Sequence, residues 1–525
     1  MRPMFLLSFC FFSVASLAGV QVHAQLTSPQ TDALSKLQSS ANSAACSATD
    51  ASTCAQAAAK LTPIILGDSP MIENLRRLTD EIGGRVTGTP EMAKAVDWAI
   101  AGFRSAGVEV HTEKYVLPIT WKEGVTSLRV TAPATAASAK LRVVSEGWGP
   151  ATPPGGIEAN VIDVGDGSEA DMYRAGNLKG AILLVQSDIG TAWSDLFKEY
   201  LRPPGIIDRA LKEGAVAILW TGARERLLLY RHTNSLNGEI DRMPQAVVAR
   251  EDAIWLARLV RANLGKVRVR LEIPNQIGGP AEQENVVGQI RGYEKPDEVV
   301  ILGAHLDSWE LGTGALDNGC NAALVIEAAR AIKAMGVLPK RTMRFILFSG
   351  EEQGTIGSHE YVKAHTAELE KIRGVVIFDS GSGRVTGFSL GGQTDTETPL
   401  RQILNPLDAW GATQHTSDAS FGTDNFDFLL EGVPTFVANQ EVSSYLANYH
   451  AASDTFDKVD HRELKLNTVI AALTAWGIAD RTEPIGKRLT RAELDTLIKR
   501  TGLDEQMKAL GYWEQWQTGA RGRKP

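Results

Sequence analysis

An α/β fold, with a mostly parallel sheet and helices on both faces, is what this 525-residue chain predicts, and three observations carry it. After Pro280 apolar runs at 298–303, 342–348 and 374–378 alternate with helical patterns at 320–335 and 359–365. Those runs are apolar throughout rather than at every second residue, as expected of strands covered on both faces. Between 136 and 275 the texture changes to short strands and glycine turns, which reads as a β-rich inserted domain of ~130 residues, a credible size for a separate core.

The elements follow in order. Arg2, an apolar stretch over 5–17 and the small-residue site Val22-His23-Ala24 form a signal peptide over 1–24, so the mature chain starts at Gln25 and is secreted or periplasmic. In an oxidising compartment Cys46 and Cys54 are expected to form a local disulfide, and Cys320 to be a small buried residue near the site. Residues 25–65 form a helical or loosely ordered lead-in. The first part of the α/β domain spans 66–135: Met71, Leu75, Leu78 and Ile82 recur at helical spacing, Gly83-Gly84 ends that helix, a second runs over 91–106, and a strand begins at Val108. The insertion spans 136–275, with strands at 159–165, 179–185, 216–220 and 267–273 and helices at 204–213 and 252–263. The second part of the α/β domain covers 276–484, and a tail follows over 485–525.

Bulk properties exclude some classes. The net charge is −8 and no long basic run is present, which removes the electrostatic basis for nucleic-acid binding. No segment beyond the signal approaches ~20 uninterrupted apolar residues, so no membrane association is expected once the signal is removed.

Open sheets of this kind place their chemistry in loops at the carboxyl ends of strands. The first strand ends in Gly303-Ala304-His305-Leu306-Asp307-Ser308. His305 and Asp307, two apart on an extended segment, point the same way, which suits a metal-ligating imidazole backed by a carboxylate. Asp317 stands just before the next helix and has two readings, a carboxylate bridging two cations or a helix cap. The following strand ends in Glu351-Glu352. Their side chains diverge, so one can ligate while the other faces a water; an acidic loop at a helix N-terminus is the plainer alternative. Asp379 ends the next strand. His450 follows in a late loop, with Asp454 available to hold the loop or the ring, and with His415 and His461 as rivals. A mixed nitrogen and oxygen donor set suits zinc, whereas calcium prefers oxygen alone. The helical H-E-x-x-H pattern is absent, and Ser308 and Ser349 lie in no G-x-S-x-G elbow.

With these motifs in order, the chain resembles the zinc aminopeptidase family with two co-catalytic metals, which includes glutamate carboxypeptidases. The runs 305–309, 314–319, 340–345, 351–354, 422–424 and 432–434 look most like the carboxypeptidase Q branch, and the likeness covers roughly residues 70 to 480. It implies a zinc-exopeptidase, phosphorylase/hydrolase-like fold carrying an inserted protease-associated domain. It also implies two zinc ions, with Asp317 bridging, His305 and Asp379 on one, and Glu352 and His450 on the other. Glu351 would be the general base, Asp307 would assist catalysis from behind His305, and Tyr449 would be an oxyanion candidate beside Tyr445. One departure is visible: the branch often carries Asp-Asp-Gly where this chain has Asp317-Asn318-Gly319, which puts identity of substrate choice in doubt. The implied activity is hydrolysis of short peptides or dipeptides by an exported exopeptidase, with a homodimer suggested by relatives. Two other classes fit the same fold, a non-catalytic receptor-like binding protein and a glutaminyl cyclase-like acyltransferase. The residues leave open which terminus is cleaved.

Overall fold

The computed structural model describes residues 50–263, 266–419 and 421–525. The expected signal peptide and Cys46 lie outside them.

The chain enters the core as a helix. α1 (Asp50–Leu66) buries Cys54, Ala57, Ala58, Leu61 and Ile65, the spacing of one helical face. From residue 50 on, the expected lead-in is therefore part of the main core. A helix over Met71–Arg76 runs on as a π-helical stretch, Arg77–Ile82, and stops at Gly83 with φ 81°. In α2 (Pro90–Ser105) Thr89 accepts a hydrogen bond from the Met92 amide, and Pro90 occupies the first turn, where its missing N–H costs nothing.

The insertion builds its own eight-stranded sheet, from Ser127–Ala132 to Arg268–Glu272. Its first strand lies ahead of residue 136, so the change of texture in the sequence marks its interior and not its edge. The true neck is a two-strand ribbon in which Trp121–Lys122 pairs with Gln276–Ile277. Alternate residues such as Val130, Val161, Leu184, Leu219 and Val269 close a separate core under the helix Arg250–Ala262. A second helix of the insertion, α3 (Trp193–Leu201), reaches the other way and sets Leu196 in the core of the α/β domain.

The main sheet has seven strands: β1 (Glu109–Leu117), β2 (Ala281–Ile290), β3 (Lys295–His305), β4 (Arg341–Phe348), β5 (Ile372–Ile377), β6 (Val385–Ser389) and β7 (Thr435–Gln440). Their order is β1-β2-β4-β3-β5-β7-β6. The parallel character is confined to the four central strands, while β1, β2 and β6 run antiparallel at the edges. Alternation along β3 supplies two cores. Val300, Leu302 and Ala304 face α1, α4 (Cys320–Ala334) and α5 (His461–Asp480), whereas Val299 and Ile301 face Tyr361, Val362 and Phe428. Each buried valine, leucine or isoleucine here contributes about 1.5–3 kcal/mol by leaving water. Register then positions the site: His305 lies opposite Phe348 of β4, and Gly303 opposite Ile377 of β5, so three strands finish level.

The tail folds back on the same chain. Its helices Arg491–Thr501, Leu503–Ala509 and Trp513–Thr518 cover Phe421, Phe426 and Leu430, and Arg521 pairs with Asp427 at 2.6 Å, both buried. No helix among the described residues is long and apolar enough to cross a membrane.

Candidate metal centre

The level strand ends gather the five expected ligand residues in one place. His305 is the last residue of β3, and its Nδ1 lies 3.0 Å from the main-chain oxygen of Asp307. That proton is thereby committed, and Nε2 presents its lone pair to the site. Nε2 stands 3.0 Å from Asp379 Oδ1 and 3.1 Å from Asp317 Oδ1. On the other side, His450 Nε2 lies 2.9 Å from Glu352 Oε2 and 3.3 Å from Asp317 Oδ2. One carboxylate of Asp317 thus turns an oxygen to each histidine. Ligand atoms about 2.0 Å from a tetrahedral zinc are separated by roughly 3.3 Å, so these contacts match the edges of two coordination shells. A further buried carboxylate oxygen, Glu352 Oε1, accepts no hydrogen bond from the described residues and is free to ligate. The donor set therefore fits zinc.

Supporting contacts differ in part from expectation. Asp307 was to back the His305 ring through its carboxylate, yet that group is 3.6 Å from Nδ1. It accepts instead from Thr87 Oγ1 at 3.0 Å and from the Glu351 and Glu352 amides at 3.3 Å each. Asp307 is fully buried, and through these contacts it positions the two glutamates. Asp454 holds the loop and not the His450 ring, accepting from the amides of Leu316 at 2.7 Å and Asp317 at 3.1 Å. The helix-capping alternative for Asp317 fails: the cap position of α4 is Gly319, with no side-chain cap hydrogen bond. Tyr445, and not Tyr449, directs its hydroxyl at the cage, donating to Asp317 Oδ2 at 3.1 Å. Tyr449 stacks on the His450 ring and its hydroxyl meets that of Tyr200. His461 is exposed at the start of α5, and His415 lines the cleft away from the cage. Cys320 is buried at the start of α4, as expected, and Cys54 is buried in α1.

His450 was legible, but its setting was not. It adopts φ 57°, in the left-handed region that a residue with a side chain rarely occupies. The insertion holds it there, because Arg231 donates its amide to the His450 carbonyl at 2.9 Å and accepts from His450 Nδ1 at 3.0 Å. The fully buried Arg231 guanidinium is anchored by Glu123 and Glu310 and lies over the Trp121 ring. Arg231→Leu strands two carboxylates. Glu310 keeps part of its hydration, so the expected loss is about 3 kcal/mol, read as a lower thermal unfolding midpoint than wild type under the same conditions.

Electrostatics follow from crowding. Withdrawal from water pushes Glu351 well above the usual carboxylate range; His305 opposes, and the charges of Asp379, Asp424 and Glu352 reinforce. Burial raises Glu352 to about 7, with Asp317 adding to it, and raises Asp424 to about 8. For His450 burial acts downward but is overridden by Glu352 and Asp317, giving about 10. These shifts all come from charged groups crowded together away from water. Bound cations reverse that logic.

The cage opens on a cleft of about 940 Å³. Its walls come from three parts of the chain: the strand-end loops, α3 of the insertion, and Gln506 and Leu510 of the tail.

Comparison with known proteins now has a geometry to explain. The model of Peptidase family M28 matches residues 285–475. Carboxypeptidase Q of Mus musculus is 30% identical over 415 residues, covering 78% of this chain and 86% of that protein. This chain belongs to peptidase family M28. An M28 peptidase precursor from Shewanella amazonensis SB2B shares the architecture with a TM-score of 0.74 and 27% identity, over 84% of this chain and 99% of that one. A zinc aminopeptidase from Bacillus subtilis shares the fold at a TM-score of 0.62 and 18% identity, over 79% and 98%. The matched segment begins on β2 and ends in α5, so it contains all five caged residues together with Glu351.

The sequence reading missed the M28 chain's contributions from outside that segment. Trp193, Leu196, Phe197, Tyr200 and Leu201 recur at helical spacing, a readable face, but nothing local says that it reaches the cleft. Arg231 and Thr87 act through contacts more than 200 residues away and carry no local signal.

Proposed function

We propose that this M28 peptidase is an exported, zinc-dependent exopeptidase that hydrolyses short peptides using two zinc ions and Glu351. Asp317 would be shared by both ions, with His305 and Asp379 completing one site and Glu352 and His450 the other. The observation that carries this reading is the pair of Asp317 oxygens, each turned to a different histidine that has its own second carboxylate. When bound, zinc supplies acidification of water and neutralisation of charge on the scissile carbonyl oxygen. The chain's own residues do the rest. Asp307 fixes the backbone of Glu351 and Glu352, so that one faces the cleft and the other the cage. Glu351 takes a proton from the attacking water and delivers it to the leaving nitrogen; the water's OH ends on the acyl carbon and the released amine carries the hydrogen. Tyr445 holds the shared carboxylate. In this reading the insertion acts as a protease-associated domain, closing one wall of the cleft and holding His450 through Arg231.

The test is metal removal and restoration. Chelator treatment of the purified protein should abolish release of amino acids from a panel of short peptides, and zinc should restore it, with metal analysis giving two ions per chain. Amino-acid release that persists in metal-free protein sinks the proposal. One ion per chain, with cyclisation of amino-terminal glutamine, would favour the acyltransferase reading instead.

A further inference from the structure

The turn that carries Glu351 and Glu352 is held at both ends, and the hold at its far end comes from the tail. In front, Asp307 accepts from the Glu351 and Glu352 amides, and Thr87 Oγ1 from the Gly350 amide at 2.9 Å. Behind, the Glu351 carbonyl accepts from the amides of Gly354 at 2.8 Å and Thr355 at 2.9 Å. Thr355 is fully buried and adopts φ 58°, a left-handed conformation that a β-branched residue takes only where its surroundings impose it. Its hydroxyl accepts from Arg521 Nη2 at 3.0 Å.

Arg521 lies in the tail, beyond the segment matched by the family model, which ends at 475. Its own position is tightly fixed. Nε and Nη2 form a fork on Asp427 at 2.7 and 2.6 Å, and the guanidinium carbon sits 4.4 Å from the Tyr512 ring centre and 5.3 Å from that of Phe426. Asp427 also meets His359 Nδ1 at 2.9 Å, on the helix Ile356–Ala364 into which the turn leads. The same part of the tail reaches the insertion. Tyr512 donates its hydroxyl to the main-chain oxygen of Leu236, and that oxygen lies against Gly354, where an added Cβ would come within 1.9 Å of it. Tail, insertion and turn therefore meet at two adjacent residues, 354 and 355. An apolar side chain in place of Arg521 would cover Phe426 and Tyr512 equally well without desolvating a charge pair, an exchange that often stabilises a protein. What the guanidinium adds is direction, because one nitrogen reaches both Asp427 and Thr355.

Resting on the peptidase reading above, we propose that the tail is a strap on the catalytic turn, and that Arg521, acting through Thr355, is a positioning residue for Glu351.

Kinetics on full-length, zinc-loaded protein test this, with amino-acid release from short peptides as the readout. Arg521→Met should lower kcat at least about 30-fold while KM stays within about three-fold of wild type, since a shift of about 1 Å in a reacting group can cost 10²-fold. Zinc content should not change; loss of zinc along with activity places the effect on the cage and overturns the inference. Wild-type kcat in Arg521→Met overturns it as well. A cycle with Glu351→Ala isolates the route: with the base already gone, adding Arg521→Met should lower the residual kcat by less than about three-fold. A second loss as large as the first means that Arg521 does not act through Glu351. Arg488, also in the tail, pairs with Glu431 and Glu370 at 2.6 Å each and meets no part of the turn. Arg488→Met should therefore keep kcat within about three-fold of wild type, and an equal fall there reduces the strap to general anchoring. Should Arg521→Met fail to fold, Thr355→Ala and Thr355→Ser probe the same link with the Asp427 pair intact. The alanine variant should repeat the loss and the serine variant, which keeps the hydroxyl, should not; equal kcat in the two refutes the link. Wild-type protein that releases no amino acid takes down the peptidase reading and the strap with it.

Discussion

Glu351→Ala is expected to lower kcat about 1000-fold while the protein keeps its zinc. A positioned general base accounts for about 10²–10⁴ in rate, and the middle of that range is the expectation for a group that also returns the proton to the leaving nitrogen. Retention of metal follows from geometry. The two glutamates serve different sides of the site: Glu352 reaches His450 at 2.9 Å, whereas the half-buried Glu351 brings its carboxylate within 4.8 Å of the His305 and Asp379 ligand atoms, and those two residues can hold a cation without it. Both backbones are fixed by Asp307, so removing one side chain leaves the other in place. Steady-state kinetics and metal analysis on the same preparation separate the outcomes. A variant that turns over at near wild-type rate refutes the base; one that loses zinc along with activity shows that Glu351 is a ligand. Glu352→Ala should show that second pattern, and comparing two neighbouring positions guards against a general loss of folding.

What the sequence made legible divides along a physical line. The central strands are apolar on both faces, so their runs are continuous and their ends can be located; His305, Glu351, Glu352 and Asp379 follow directly from that. Antiparallel edges such as β2 were missed because residues 281–285 are mostly polar and interrupt the apolar signal. The insertion's edge was misplaced because its first strand, Ser127–Ala132, sits ahead of the glycine-rich stretch that drew attention to it. Asp317 could be placed beside a helix, but apart from the family resemblance its own position did not choose a job: capping and bridging use the same residue type there, and only tertiary structure shows its two oxygens facing two histidines. Asp307 illustrates the converse. Its spacing from His305 is right for a ring partner, yet a fully buried carboxylate goes where amides are available, and here the amides of the next strand end outcompete the ring. Contacts supplied by the insertion, Arg231 above all, are long-range by construction, and no window of the sequence holds both partners.

The other large effect is expected at Asp317, where Asp317→Asn should abolish turnover and metal-linked stability together. The amide has the shape of the carboxylate but differs where it matters. One of its two positions is an NH₂ group, which cannot ligate a cation, and the side chain has lost its charge. A group serving a single ion could rotate and keep one oxygen in use. Asp317 has no such freedom, because Oδ1 faces His305, Oδ2 faces His450, and its backbone is held by Asp454. Whichever way the amide turns, one of the two sites faces N–H. Wild-type protein should gain thermal stability on adding zinc, about 2.7 kcal/mol per site once free zinc is 100-fold above that site's dissociation constant. Asp317→Asn should lose most of that gain and retain at most one ion per chain, with the circular dichroism spectrum unchanged. Asp454→Asn makes the complementary case: it keeps every ligand but weakens the hold on the loop, so it should lose affinity for zinc more than capacity. If Asp317→Asn instead binds two ions with wild-type affinity, no carboxylate is shared, and the pairing of two metals across one aspartate is wrong.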